Sequence, residues 1–104
     1  MGMIIQTKDP EKAWNAFRFG EKALKDGHEV RTFLLGEGVE CEEITHEKFK
    51  VREQMLAFLD AGGQILACGS CLKLRQKNPD ELCPLSTMQD LVNLVVWSDR
   101  VVTF

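Results

Sequence analysis

Three short apolar runs, separated by segments of helix length, restrict this chain more than any other feature. The runs are Met3-Ile4-Ile5-Gln6-Thr7, the stretch from Glu29 to Leu35, and Gln64 to Ala67. Between the first two, Ala13, Phe17, Gly20 and Leu24 recur at helical spacing. Between the second and third, Val51, Met55, Phe58 and Leu59 do the same. A β-α-β-α-β order with such short joins favours a parallel sheet with right-handed crossovers. Composition agrees: 104 residues, 44% hydrophobic and 28% charged, make one globular domain spanning 1–104.

Local signals mark the ends of these elements. Asp9 is placed to cap the first helix, with Pro10 at its first position and Gly27 stopping it near Asp26. Thr45 is the expected cap of the second helix, and Gly62-Gly63 ends it. Trp14 and Phe19 fall off the apolar stripe, as a flank of the core or a subunit contact. Further on, Leu82-Cys83-Pro84-Leu85 reads as a short strand or an extended loop, since Pro84 does not suit a central strand. Ser86, with Gln89 three residues later, fits a capping box for a last helix carrying Met88, Leu91, Val92, Val95 and Val96. Arg100 to Phe104 forms a terminal strand. The expected whole is an open α/β sheet of four or five short parallel strands between helices. The strand order is either 4-3-2-1-5 or 2-1-3-4-5.

The net charge of −3 and the absence of a basic stripe exclude an obvious nucleic-acid surface. No apolar run approaches the roughly 20 residues needed to span a bilayer, and no signal peptide is evident. A cytoplasmic protein follows as the expectation. Its four cysteines then point to catalysis, metal or redox work before structural disulfides. The segment Gly36-Glu37-Gly38-Val39-Glu40-Cys41 is expected to be a turn allowing close backbone approach. It lacks a dinucleotide fingerprint and a P-loop lysine, and its acids (Glu37, Glu40, Glu42, Glu43) disfavour phosphate.

The chemistry concentrates in Gln64 to Gln76, where a buried strand runs into Cys68-Gly69-Ser70-Cys71 and a basic turn of helix, Leu72 to Lys77. Ligands gather beyond the carboxyl ends of strands in such sheets. The helix start, Lys73 and Arg75 are expected to favour a thiolate at Cys68, below the free thiol value of about 8.5. Four readings fit. Cys68 carries sulfur as a persulfide, with backbone N–H groups of Gly69, Ser70 and Cys71 holding the anion. Cys68 and Cys71 exchange between dithiol and disulfide. Cys68 and Cys71 bind a metal with Cys41 or Cys83, although these lack knuckle spacing. Or the cysteines only pack. Lys73, Arg75 and Lys77 form either a solvated face or an attractor for an acidic partner or an anion. His28 and His46 read as exposed, and no hydrolase pattern is present.

The opening strand Met3 to Thr7, FLLGEGVE at Phe33 to Glu40, ILACGSCLKLRQ at Ile65 to Gln76 and the ending LVNLVVWSDRVVTF together resemble the DsrE/DsrF-like family, which includes TusD-type sulfur-relay subunits. The resemblance implies a five-stranded parallel sheet in a three-layer α/β/α sandwich, with a short strand near Leu82 to Leu85. It implies assembly as a homotrimer, a hexamer or a hetero-oligomer. It places the family's sulfur-accepting cysteine at Cys68, exchanging sulfur with a TusA-like carrier; no cofactor or metal is expected. Cys71 departs from the single-cysteine pattern and adds a second thiol that would form a disulfide or quench a persulfide. Cys41 is the expected further thiol beside the site, with Gly69 and Ser70 as backbone donors.

Overall fold

The structure, a computed structural model, describes residues 1–104. The elements run β1 (Gly2–Ile5), α1 (Pro10–Lys25), β2 (Arg31–Leu34), a 3-10 helix (Gly36–Glu43), α2 (Val51–Asp60), β3 (Gln64–Cys68), α3 (Gly69–Leu74), β4 (Leu85–Ser86), α4 (Met88–Trp97) and β5 (Val101–Thr103). All five strands are parallel, in the order β4-β3-β2-β1-β5. This is the first of the two expected orders, and it lays the 3-10 helix that follows β2 against the end of β3.

Register divides the sheet into two faces. Met3, Thr32 and Ile65 are partners in one row, and Ile5, Leu34 and Ala67 in another. These rows lie under α1 and α2, where Gly20 sits against Phe58 and Met3 and the Phe17 and Phe58 rings meet edge to face at 5.7 Å. The opposite face carries Gly2, Ile4, Phe33 and Leu66 in alternate positions. Only α4 crosses it, with Leu94 and Ser98 close over Gly2. The result is a three-layer α/β/α sandwich whose second helical layer is a single ten-residue helix.

Most terminal signals act as the sequence predicts. The Asp9 carboxylate accepts from Lys12 N–H at 3.0 Å, Pro10 opens α1, and Gly27 follows it at φ +96°. Three differ. Helix α2 begins at Val51 with no side-chain cap, because Ile44 to Lys50 forms a turn in which the exposed His46 Nδ1 accepts from Lys48 and Phe49 N–H. The capping box of α4 lies one residue on, with Thr87 and Asp90 in place of Ser86 and Gln89, since Ser86 is drawn into β4. Strand β4 starts after Pro84, whose carbonyl accepts from Ala67 N–H at 2.9 Å, so the ring stands outside the ladder.

Candidate functional site

Strand β3 delivers Cys68 to its carboxyl end, and α3 begins at the next residue. The small residues after Cys68 let the chain turn there. Gly69 lies against the Ser86 carbonyl and the Leu85 side chain, so a larger residue would press on β4. Cys68 is 4% exposed, whereas Cys71, one helical turn on, is half-buried. All four cysteines are free thiols.

The two thiols of the CxxC segment bracket the first turn of α3. The Cys71 thiol and the Ser70 and Cys71 amides are the neighbours that act on the titration of Cys68. Gly36 N–H donates to Cys71 Sγ at 3.2 Å. That contact depends on the turn after β2: Gly36 has φ +57°, and a side chain on Gly38 would overlap the Ile5 carbonyl. The close backbone approach expected of this GxG is therefore its structural role, carried by a 3-10 helix instead of an open loop.

The expected lowering of the Cys68 thiol does not occur. Burial, followed by the hydrogen bond to Cys71, pushes it above its ordinary value, against the opposing pull of the Cys71 and Ser70 amides. Of the two basic residues expected to help, Arg75 is engaged elsewhere. Arg75 Nε donates to Glu40 Oε2 at 2.8 Å, and Lys77 Nζ donates to the Val39 carbonyl at 2.8 Å and pairs with Glu43 at 3.2 Å. Arg75 and Lys77 thus clamp α3 and its exit onto the acidic 3-10 helix. Lys73 stays exposed. The acids of that segment, read from sequence only as a bar to phosphate, are the other half of the clamp.

Cys41 lies in the same 3-10 helix but is fully buried, and its thiol donates to the Thr7 carbonyl at 3.3 Å. Burial pushes it up to about 12. Cys83 is also buried and pushed up to about 12, first by burial and then by Glu42 and Asp80. Donor atoms of Glu42, Asp80 and Cys83 fall within 4.8 Å of one another. This grouping differs from the one a CxxC metal site would need, because neither Cys68 nor Cys71 joins Cys41 or Cys83 in a cluster of three donors. His28 and His46 are exposed. Chemically, the site is a dithiol at a strand end, one sulfur shielded and the other nearer solvent with the Gly36 N–H on it.

Comparison with known proteins places this geometry. An uncharacterized protein of Methanocaldococcus jannaschii, MJ0989, is 36% identical over 110 residues, spanning 97% of this chain and 96% of its own length. An uncharacterized protein of Methanopyrus kandleri, MK0008, is 35% identical over 100 residues, spanning 90% of this chain and 83% of its own. Among solved structures, a conserved protein of unknown function from Bacteroides thetaiotaomicron, BT1422, shares the fold with a TM-score of 0.76 at 15% identity, over 99% of this chain and 94% of that one. The sequence profile of the DsrE/DsrF-like family matches residues 1–104. The chain belongs to the DsrE/DsrF-like family.

Proposed function

We propose that this protein carries sulfur as a persulfide on Cys68 and passes it on, with Cys71 as the second thiol of the site. The observation that supports this most is the setting of the Cys68 sulfur. It sits at the carboxyl end of a central strand, directly before α3 and one helical turn from a second thiol, Cys71, and the Cys71 and Ser70 amides oppose the upward push of burial. Those amides would hold the negative charge of a persulfide where burial alone disfavours it. Membership of the DsrE/DsrF-like family, in which sulfur relay is known, supports the same reading.

In the loading step the Cys68 thiolate attacks the outer sulfur of a donor persulfide. The donor's S–S bond breaks, the donor leaves as a thiolate, and a new S–S bond joins Cys68 to the transferred sulfur. Passing the sulfur on repeats this exchange with an acceptor thiolate, and no external oxidant or reductant enters. A TusA-like carrier protein is the proposed exchange partner, in the cytoplasm. Gly69 contributes by its small size at the β4 contact, and Ser70 by its amide. Cys41 is left out of the proposed reaction, because its thiol is buried and bonded to Thr7.

The i, i+3 placement of Cys68 and Cys71 across the start of α3 favours one second reading, dithiol–disulfide exchange. The two separate in a transfer experiment. Protein loaded from a persulfide donor carrying labelled sulfur is mixed with a TusA-like carrier, and the label is followed. Label reaching the carrier from wild type but not from Cys68→Ser supports relay. Failure to load, together with a dithiol potential in the thioredoxin range of about −270 mV, would replace it with the redox reading.

A further inference from the structure

We infer that Glu42, Asp80 and Cys83 form a zinc site, separate from the dithiol at the end of β3. Glu42 stands near the end of the 3-10 helix, and Asp80 and Cys83 lie in the connection between α3 and β4. A carboxylate oxygen of each acid and the Cys83 sulfur all fall within 4.8 Å of one another. Around a tetrahedral zinc, with Zn–S of about 2.3 Å and Zn–O of about 2.0 Å, such atoms stand roughly 3.5 Å apart. The three donors therefore need to close by no more than about 1.5 Å to hold the ion.

Packing accounts for the burial of Cys83 but not for its neighbours. Cys83 is 2% exposed, and its sulfur takes part in no hydrogen bond, whereas those of Cys41 and Cys71 do. This buried, unpartnered sulfur lies against two carboxylates. Those carboxylates are unpaired as well. Glu40 and Glu43, beside Glu42 in the 3-10 helix, pair with Arg75 and Lys77, while neither Glu42 nor Asp80 is in an ion pair. Lys77, on the same connection as Asp80, donates to the Val39 carbonyl and Glu43 instead, and Arg52 acts on both acids only from beyond ion-pair distance. Two acids gathered on one thiol repel each other. A divalent cation among them relieves that repulsion and gives the sulfur a partner.

The donor set chooses the metal. One thiolate with two carboxylates suits zinc, which is borderline-soft and accepts Cys together with Asp or Glu, whereas magnesium and calcium take six or more oxygens. The thiol gives its proton to solvent as it binds, since a coordinated thiol is deprotonated outright. Two bonds hold the set in place beforehand: Asp80 Oδ1 accepts from Cys83 N–H at 2.8 Å, and Asp80 N–H donates to the Cys83 carbonyl at 3.3 Å. Asp80 is exposed, which provides an entry path and leaves the fourth position to water. Zinc bound there fastens the connection between α3 and β4 to the 3-10 helix, beside the Lys77–Glu43 pair. The inference does not depend on sulfur transfer, because neither Cys68 nor Cys71 is a ligand.

Zinc titration of the full chain, followed by calorimetry and by metal analysis after gel filtration, is the experiment, with cobalt as an optical probe. It is run on the double variant Cys68→Ser with Cys71→Ser, which removes the dithiol as a competing ligand. That protein is expected to retain one zinc per chain and to show a thiolate-to-cobalt charge-transfer band. On the same background Cys83→Ser is expected to abolish the band. Cys83→Ser, Glu42→Gln and Asp80→Asn are each expected to weaken zinc binding at least about tenfold, the loss that follows even from changing an outer partner of a metal ligand. Glu42 is only half-buried, so Glu42→Gln guards against misfolding of the Cys83 variant. Zinc is also expected to raise the thermal midpoint of the double variant but not of its Cys83→Ser derivative. A double variant that holds no zinc, or one whose zinc affinity is unchanged by Glu42→Gln and Cys83→Ser, would overturn the site.

Discussion

Cys68 and Cys71 are three residues apart in sequence and differ in almost every physical respect. Cys68 is shielded, and burial together with its bond to Cys71 holds its proton. Cys71 lies nearer solvent, with an N–H donor from another loop on its sulfur. Alkylation follows thiolate fraction and access, so iodoacetamide at neutral pH is expected to label Cys71 at least about tenfold faster than Cys68. A raised thiol is less ionised at any given pH, so Cys68 labelling is expected to keep climbing as pH passes the ordinary thiol value. Equal rates at neutral pH, read by peptide mass mapping, would contradict this. Thr32 makes a second residue-scale prediction. Its hydroxyl is buried in β2 without a hydrogen-bond partner. Thr32→Val keeps the shape and removes the orphan, and is expected to stabilise the fold by about 1 kcal/mol in urea unfolding. The sequence named both cysteines because small residues between a strand and a helix are a local pattern. It did not reveal how the basic residues are used, because Glu40 and Glu43 lie more than thirty positions from Arg75 and Lys77 and meet them only after folding.

Elements whose end signals are local were legible. Helix α1 is the clearest case, since Asp9, Pro10 and Gly27 each act within a few residues of themselves. The start of α2 was not, because Thr45 competes with a turn organised by His46. The cap of α4 was displaced by one residue for a tertiary reason. Ser86 pairs with Cys68 in β4, so the first residue free to cap is Thr87. Thr87→Ala is accordingly expected to cost about 1 kcal/mol, and Gln89→Ala to cost little. The reverse order in thermal or urea unfolding would restore the Ser86–Gln89 box. The exposure of α4 was likewise hidden: its apolar spacing predicts a helix, but spacing alone does not say which layers the chain supplies to enclose it.

Across the whole molecule, the β-α-β-α-β pattern foretold the parallel sheet, and the topology then explains the site. Order β4-β3-β2-β1-β5 sets the turn after β2 beside the turn after β3, which is how Gly36 reaches Cys71 and Glu40 reaches Arg75. Strand order itself was not legible, since both candidates satisfy right-handed crossovers with connections of this length. The fold thus places a dithiol, an amide cluster and a clamped 3-10 helix at one sheet edge. No helix is long and apolar enough to cross a membrane. The central claim is that Cys68 in this setting accepts sulfur. Intact mass spectrometry after incubation with a persulfide donor, without reductant, tests it on wild type, Cys68→Ser and Cys71→Ser. The account predicts a gain of about 32 mass units, one sulfur atom, in wild type and in Cys71→Ser but not in Cys68→Ser. A loss of about two mass units in wild type, the two hydrogens given up in a disulfide, with no gain in either variant, would contradict it.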